Sequence, residues 1–257
     1  WPVPSMAPLA LLALTVVTVA IEEVPLDMAP ASFDDQYQGC RDTMMAALPA
    51  LSLSEFGQNP LLARGWEKAR AEWEQRGSRV SPLSSPAQAI TLMAYTMDDL
   101  HEEFNMAVRM AGHSPEEYWD KFHFKALHLL LTDALAALRA QQGQGRHCVY
   151  CGVRGVRFTA RPGRRVHFGH FASASLCRGK ARAFGSDTTF HVHTQYGADI
   201  HQFSCYRTED EVLIPPFETF NVTSVTRRGD KVSIKLNSTG THSNYTCEWM
   251  VTSWGQP

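Results

Sequence analysis

The spacing of apolar residues changes near the middle of the chain. In the first part they recur at intervals of three and four residues, which places an apolar stripe on one face of a helix. The stripes are Trp66, Ala69 and Trp73; Ile90, Met93, Ala94 and Met97; and Phe124, Leu127, Leu131, Leu135 and Leu138. We interpret these side chains as core packing, so the pattern predicts amphipathic helices before Gly143.

Two short motifs mark where predicted helices begin. They are Ser85-Pro86-Ala87-Gln88 and Ser114-Pro115-Glu116-Glu117. In each, a serine suits the N-cap, a proline suits the first helical position, and Gln or Glu completes a capping box.

Strand patterns follow Gly143. Val232, Ile234 and Leu236 alternate with polar residues after a Gly-containing turn, and the apolar run 212–214 is stopped by two prolines. Helices followed by strands predict an α+β fold, with an N-terminal helical region packed on a C-terminal mixed β-sandwich.

Composition and charge narrow the class of protein. Of the 257 residues, 44% are hydrophobic and 19% are charged, which is typical of a chain with a buried core. The formal net charge is -2. A protein that binds nucleic acid through its overall charge would be basic, so we expect no nucleic-acid partner.

The N-terminal apolar run predicts export. Residues 9–20 are apolar but too few for the roughly 20 residues that span a bilayer, which indicates a signal peptide cleaved after Ala20. Met6 would then be the initiator. The sequons at Asn221, Asn237 and Asn244 and six cysteines fit a secreted, disulfide-containing glycoprotein.

These features define the expected domain organisation. We expect a signal peptide with upstream readthrough over 1–20, a helical region over 21–145, a β-rich region over 146–250 and a tail over 251–257. No GPI-anchor signal is visible after Met250, and we expect no stable membrane insertion after signal removal.

Two carboxylates and two serines form the motifs that contain the candidate catalytic residues Glu209, Glu211 and Ser173. Glu209 and Glu211 are two residues apart, so an extended chain presents both on one side. Like charges this close repel each other, which favours a position facing a cationic or electron-poor substrate. Ser173 and Ser175 alternate in the same way after Phe171. Acidic loops before a strand are, however, also common without any site.

Together these motifs resemble the ecto-ADP-ribosyltransferases, whose pattern joins an Arg strand, an aromatic-x-Ser-x-Ser strand and a Glu-x-Glu loop. The similarity extends from about Phe33 to Trp249 and includes the segments 33–37, 94–96, 168–175, 211–218 and 244–248. The resemblance implies an NAD cleft, NAD as substrate and no metal. It also implies transfer of ADP-ribose to arginine side chains of acceptor proteins.

The resemblance also implies functions for individual residues. Glu211 would stabilise the cation formed at the ribose, as a fixed carboxylate does in glycoside cleavage. Ser173 would orient Glu211, and Glu209 would bind the guanidinium of the acceptor. For the cofactor, Gly152 would let the backbone approach the nicotinamide amide.

Two aromatic residues are weaker candidates for the cofactor site. Phe184 would stack on the nicotinamide ring, with ordinary core packing as an equal alternative. Tyr95 would reach the cofactor from the helical region.

The chain departs from the family pattern at Cys151. The family has Val-Tyr/Phe-Arg-Gly where this sequence has Val149-Tyr150-Cys151-Gly152. A thiol lacks the charge and the donors of arginine, so we expect weakened activity. The resemblance also implies a disulfide between Cys40 and Cys247, which would contribute about 5 kcal/mol in the loop-entropy model. Cys148, Cys151, Cys177 and Cys205 receive no pairing.

Three alternatives stay open. The chain is compatible with a secreted, non-catalytic NAD-binding or interaction protein on the same scaffold, which Cys151 favours. NAD hydrolysis without transfer is disfavoured by Glu209. A metal pair at Cys148 and Cys151, with His167, His170, His191 or His193 nearby, is disfavoured by the oxidising secretory route.

Overall fold

The computed structural model describes residues 21–98, 100–143, 145–176, 178–181, 185–206, 208 and 210–249. The predictions for the signal peptide, Cys177, Phe184 and Glu209 lie outside these residues. Within the described ranges, none of the helices has the length and apolar character needed to cross a bilayer.

Helices dominate the chain up to residue 142. They are α1 (Arg41–Gln58), α2 (Pro60–Gln75), α3 (Pro86–Tyr95), α4 (His101–Met110), a π-helical segment (Glu117–Lys121) and α5 (Lys125–Gln142), with a short α6 (Arg178–Ala181) later in the chain. Gly143 ends α5 with φ +81°, a left-handed conformation that favours glycine.

One of the two predicted capping boxes is confirmed, and the other is only half formed. The Ser85 side chain accepts from the backbone of Gln88, whose side chain accepts from the backbone of Ser85. Ser114 accepts from the backbone of Glu117, but the Glu117 carboxylate binds Lys121 instead. The second motif therefore starts the π-helical segment. Residues 122–124 are not helical, so the helix is interrupted there before α5 begins.

Ten strands form the rest of the structure in the described residues. They are β1 (Glu22–Pro25), β2 (His147–Val153), β3 (Val156–Thr159), β4 (Arg165–Val166), β5 (Ala172–Ser175), β6 (Thr188–Thr194), β7 (Ala198–Asp199), β8 (Glu211–Ile214), β9 (Glu218–Arg228) and β10 (Lys231–Thr241). β1 precedes all the helices in the chain, and it pairs in parallel with β3, which follows them.

The main sheet is mixed and has the order β4-β9-β10-β6-β2-β5-β8-β7. β10 and β6 are parallel, whereas the other neighbours are antiparallel. The sheet is joined between β2 and β5 at the single pair Tyr150 and Ser175. The predicted α+β organisation, with helices first and a large mixed sheet after them, is confirmed.

Two hydrophobic cores lie on either side of β5 and β8. The larger joins the helices to residues such as Phe171 and Leu213. The smaller is formed by side chains of the strands on the other face, and it includes Ala174, Val212 and Cys151. Alternate residues of β5 and β8 thus face different cores, as the period of a strand requires.

The two ends of the described chain are fastened together. The expected disulfide between Cys40 and Cys247 is present. Next to it, the buried Asp34 carboxylate accepts from the backbone of Asn244 at 2.8 Å, and Asp35 accepts from the backbone of Glu248 at 3.1 Å. These contacts bind the segment after β10 to the segment before α1.

A neutral histidine joins this region to α5. His128 is buried, and its Nε2 lies 3.2 Å from the Phe33 carbonyl while Nδ1 lies 2.8 Å from the Tyr37 hydroxyl. Because a carbonyl only accepts, Nε2 carries the proton and Nδ1 accepts from Tyr37. Burial lowers the pKa of His128 from 6.5 to about 3.

We expect His128 to make the protein sensitive to acid. Below pH 6.5 His128 binds a proton in the unfolded state, whereas in the folded state it stays neutral down to about pH 3. The free energy of unfolding therefore decreases as the pH is lowered through this window. At pH 5 this contribution is about 2 kcal/mol. In urea unfolding, His128→Gln should be less stable than the parent at pH 7.5, and the gap should narrow toward pH 5. The exposed control His113→Gln should show no such trend. A gap for His128→Gln that stays constant with pH would refute this explanation.

Candidate active site

The catalytic candidates on β5 and β8 are brought together by strand register. Ser175 lies directly opposite Glu211, and Ser173 lies opposite Leu213. The three polar side chains therefore share the face that Leu213 turns toward the helical core. Ser175 is the nearer serine across the strands, whereas Ser173 is diagonal to Glu211, a separation of about 7–8 Å between Cα atoms.

The Glu211 carboxylate is held by a serine that the sequence motifs did not identify. Glu211 is only 6% exposed at the start of β8. Its Oε2 accepts from the Ser204 hydroxyl at 3.0 Å, and the backbone nitrogen of Ile200 donates to its carbonyl at 2.9 Å. Ser204 is fully buried in the loop after β7. No local pattern marks it, because the contact depends on how that loop folds back.

Tyr95 supports the start of β5 from the helical region. Its hydroxyl donates to the Phe171 carbonyl at 2.9 Å. Asn105 on α4 donates to the same carbonyl at 3.0 Å and to the Tyr95 hydroxyl at 3.1 Å. The Ser173 hydroxyl is 3.5 Å from the Tyr95 oxygen. Burial raises the pKa of Tyr95, so its hydroxyl remains protonated. Tyr95 therefore contacts the serine strand, and Asn105 is a further supporting residue that sequence reasoning missed.

Cys151 and Gly152 lie near the end of β2, next to this group. Cys151 pairs with Phe190 and Gly152 with Thr189 on β6. The Cys151 side chain is 9% exposed and belongs to the smaller hydrophobic core. Burial raises its pKa from 9.0 to about 12, so the thiol is neutral. The structure brings β2 beside β5, but because Tyr150 is the residue that pairs with Ser175, the Cys151 side chain turns to the opposite face of the sheet from Ser173 and Glu211.

Arg157 does not take the place of the missing arginine on β2. Arg157 lies on β3, where it forms ion pairs with Glu23 at 3.2 Å and Asp230 at 3.3 Å. Arg154 follows the end of β2. Gly185 packs closely on the end of β2. A Cβ atom at this position would lie 2.3 Å from backbone atoms of Val153 and Arg154, so only glycine fits there.

The structure separates the two cysteines of the Cys148-x-x-Cys151 motif. An odd spacing on a strand turns the side chains to opposite faces, and Cys148 is exposed whereas Cys151 is buried. One metal ion held by both sulfurs is therefore excluded. Cys148, Cys151 and Cys205 are free thiols. The Nδ1 of His167 donates to the Pro216 carbonyl at 2.7 Å, whereas its Nε2 is buried without a hydrogen-bond partner among the described residues.

Comparisons with known proteins agree with this arrangement. A family model described as "NAD:arginine ADP-ribosyltransferase" matches residues 26–244. The chain is 48% identical over 236 residues to NAD(P)(+)--arginine ADP-ribosyltransferase 2 of Gallus gallus, covering 91% of this chain and 75% of the relative. It is 47% identical over 241 residues to GPI-linked NAD(P)(+)--arginine ADP-ribosyltransferase 1 of Mus musculus, covering 89% and 74%.

Solved structures give the same result. The crystal structure of the eucaryotic mono-ADP-ribosyltransferase ART2.2 is 35% identical, with a TM-score of 0.77 over 87% of this chain and 98% of that chain. A mutant of ART2.2 in complex with NAD has a TM-score of 0.75. From the family match, the shared fold and the Ser173 and Glu211 strands, the chain belongs to the NAD:arginine ADP-ribosyltransferase family.

Proposed function

We propose that this protein transfers ADP-ribose from NAD to arginine side chains, releasing nicotinamide, and that Cys151 makes it a weak catalyst. The observation that carries the proposal is the position of Glu211. Its carboxylate is almost completely buried, is fixed by Ser204, and shares a face with Ser173 and Ser175. A charge held in this way is preorganised for a cation that develops beside it.

The proposed reaction needs that charge at one step. The bond between nicotinamide and ribose breaks, nicotinamide leaves with the electron pair, and positive charge develops on the ribose. Glu211 stabilises this cation, and the arginine nitrogen then bonds to the ribose carbon and loses a proton to Glu209. Glu209 binds the guanidinium, whose planar fork of donors matches a carboxylate. Gly152 and Phe184 are proposed to contact the nicotinamide.

The relatives support an extracellular location for the proposed activity, because three of them are named as GPI-linked enzymes. Secretion and glycosylation of this chain are part of the proposal. Asn237 and Asn244 are exposed, and Asn221 is partly exposed, which leaves room for a glycan at the first two.

The second candidate is a non-catalytic NAD-binding or interaction protein, favoured by the buried neutral thiol of Cys151. One experiment separates the candidates. The purified chain is incubated with NAD labelled in the ADP-ribose part and with a small guanidine compound, and the products are identified by mass spectrometry. The proposal requires an ADP-ribosylated guanidine and free nicotinamide. Free ADP-ribose alone would indicate a hydrolase, and unchanged NAD in both the parent and Cys151→Arg would indicate a non-catalytic protein.

We expect Glu209 to govern the acceptor more than bond cleavage. Glu209→Gln should lower transfer to the guanidine while NAD hydrolysis is largely retained, because water needs no guanidinium site. The measurement is the ratio of ADP-ribosylated guanidine to free ADP-ribose, with Glu116→Gln, at an exposed position on the helical side, as control. An equal decrease of both products in Glu209→Gln would show that Glu209 is not specific to acceptor binding.

A further inference from the structure

A cysteine and two histidines meet on the face of the sheet opposite to Cys151. In the antiparallel register of β2 and β6, Cys148 lies directly opposite His193, and His191 lies two residues further along on the same face. The donor atoms of the three side chains all lie within 4.8 Å of one another. The Cys148 sulfur is 2.8 Å from Nε2 of His191.

The positions of these donors are fixed by the sheet rather than by a loop. β2 and β6 pair along the whole of β2, from His147 with Thr194 to Val153 with Thr188. The Tyr150 ring stacks on His191, with centroids 4.8 Å apart and planes within 5° of parallel. The His191 and His193 rings are 5.0 Å apart. Ligands on paired strands of a sheet need little reorganisation to bind an ion.

We propose that Cys148, His191 and His193 bind a divalent metal ion of the zinc type. One thiolate and two imidazoles are donors that Zn²⁺ accepts, and oxygen-preferring ions such as Mg²⁺ or Ca²⁺ do not favour them. Bond lengths of about 2.3 Å to sulfur and 2.0–2.1 Å to nitrogen put the donors about 3.3–3.6 Å apart in a tetrahedron. The present donors lie within 4.8 Å of one another, so the proposed binding requires side-chain rotations that bring them closer. Water supplies the fourth ligand, and the Cys148 thiol releases its proton to solvent on binding.

The proposed site lies close to the candidate catalytic residues along the sheet. Glu211 pairs with Ser175, Ser175 with Tyr150, and Tyr150 with His191. Three strand spacings of about 4.8 Å thus separate His191 from Glu211. A metal ion here would fasten β2 to β6 near the one pair that joins β2 to β5.

Cobalt binding tests the proposal without any measure of enzyme activity. The full chain is titrated with Co²⁺, and the thiolate-to-cobalt charge-transfer absorption and the d–d bands of tetrahedral Co²⁺ are recorded, followed by displacement with Zn²⁺. We expect one ion per chain with a thiolate band. Cys148→Ser should abolish that band, and Cys148→Ser and His193→Gln should each weaken binding at least tenfold. Cys205→Ser, which removes a free thiol outside the proposed site, should leave the thiolate band and the affinity for Co²⁺ unchanged.

Three results would overturn the proposal. The first is a parent chain that binds Co²⁺ without a thiolate band or does not bind it at all. The second is a band that survives Cys148→Ser. The third is a purified chain in which mass spectrometry finds Cys148 in a disulfide. The spectroscopic readout depends on the local ligands, and circular dichroism of each variant shows whether the fold is retained.

Discussion

The Cys151→Arg variant should transfer ADP-ribose to a small guanidine about one to two orders of magnitude faster than the parent. A hydrogen bond to a charged group contributes roughly 1.5–3 kcal/mol, and about 1.4 kcal/mol corresponds to a factor of ten in rate. The parent has instead a thiol that burial keeps neutral, with a pKa raised to about 12. Restoring the charge of the family arginine should therefore recover binding of NAD and with it the reaction.

The test needs a control for size, because position 151 is packed in the smaller hydrophobic core. Cys151→Met lengthens the side chain without adding charge and should give no gain. Circular dichroism and thermal unfolding report whether each variant folds. If folded Cys151→Arg and Cys151→Met had the same rate as the parent, charge at this position would not limit transfer.

Glu211→Gln should slow the reaction strongly, and the effect is best measured in the Cys151→Arg background, where the starting rate is expected to be higher. Removing a preorganised electrostatic contact typically costs about 10²- to 10³-fold in rate. Gln keeps the shape of the side chain and still accepts from Ser204, so the local fold should survive. The measurement is nicotinamide release, with the exposed Glu116→Gln as matched control. Nicotinamide release by Glu211→Gln equal to that of its background would remove Glu211 from the mechanism.

The elements of the fold that depend on short-range patterns could be predicted from the sequence. The alternation of Val232, Ile234 and Leu236 marks β10, and the apolar run 212–214 marks β8. The Ser85 capping box marks the start of α3. In each case one segment buries one face, so its own residues contain the information.

Features that depend on distant partners were not predictable in this way. The pairing of β1 with β3 joins segments about 130 residues apart, and the break between Lys121 and Lys125 has no proline or glycine to announce it. A periodic pattern records which face is buried but not which element covers it.

The candidate site shows the same limit. The sequence identified Ser173 and Glu211 as a pair, yet register places Ser175 opposite Glu211, and the Glu211 carboxylate accepts a hydrogen bond from Ser204. The Cys148-x-x-Cys151 spacing suggested one metal pair, but the strand divides it and assembles Cys148 with His191 and His193. Both outcomes follow from strand pairing, which fixes neighbours across the sheet.

The affinity for NAD, compared between the parent and Cys151→Arg, tests most directly whether this family site has lost its arginine at position 151. Isothermal titration of both folded proteins with NAD gives the two dissociation constants, with Cys151→Met as reference. We predict that Cys151→Arg binds NAD at least tenfold more tightly than either, as one recovered charged hydrogen bond requires. Equal dissociation constants for Cys151→Arg and the parent would show that position 151 is not the arginine site.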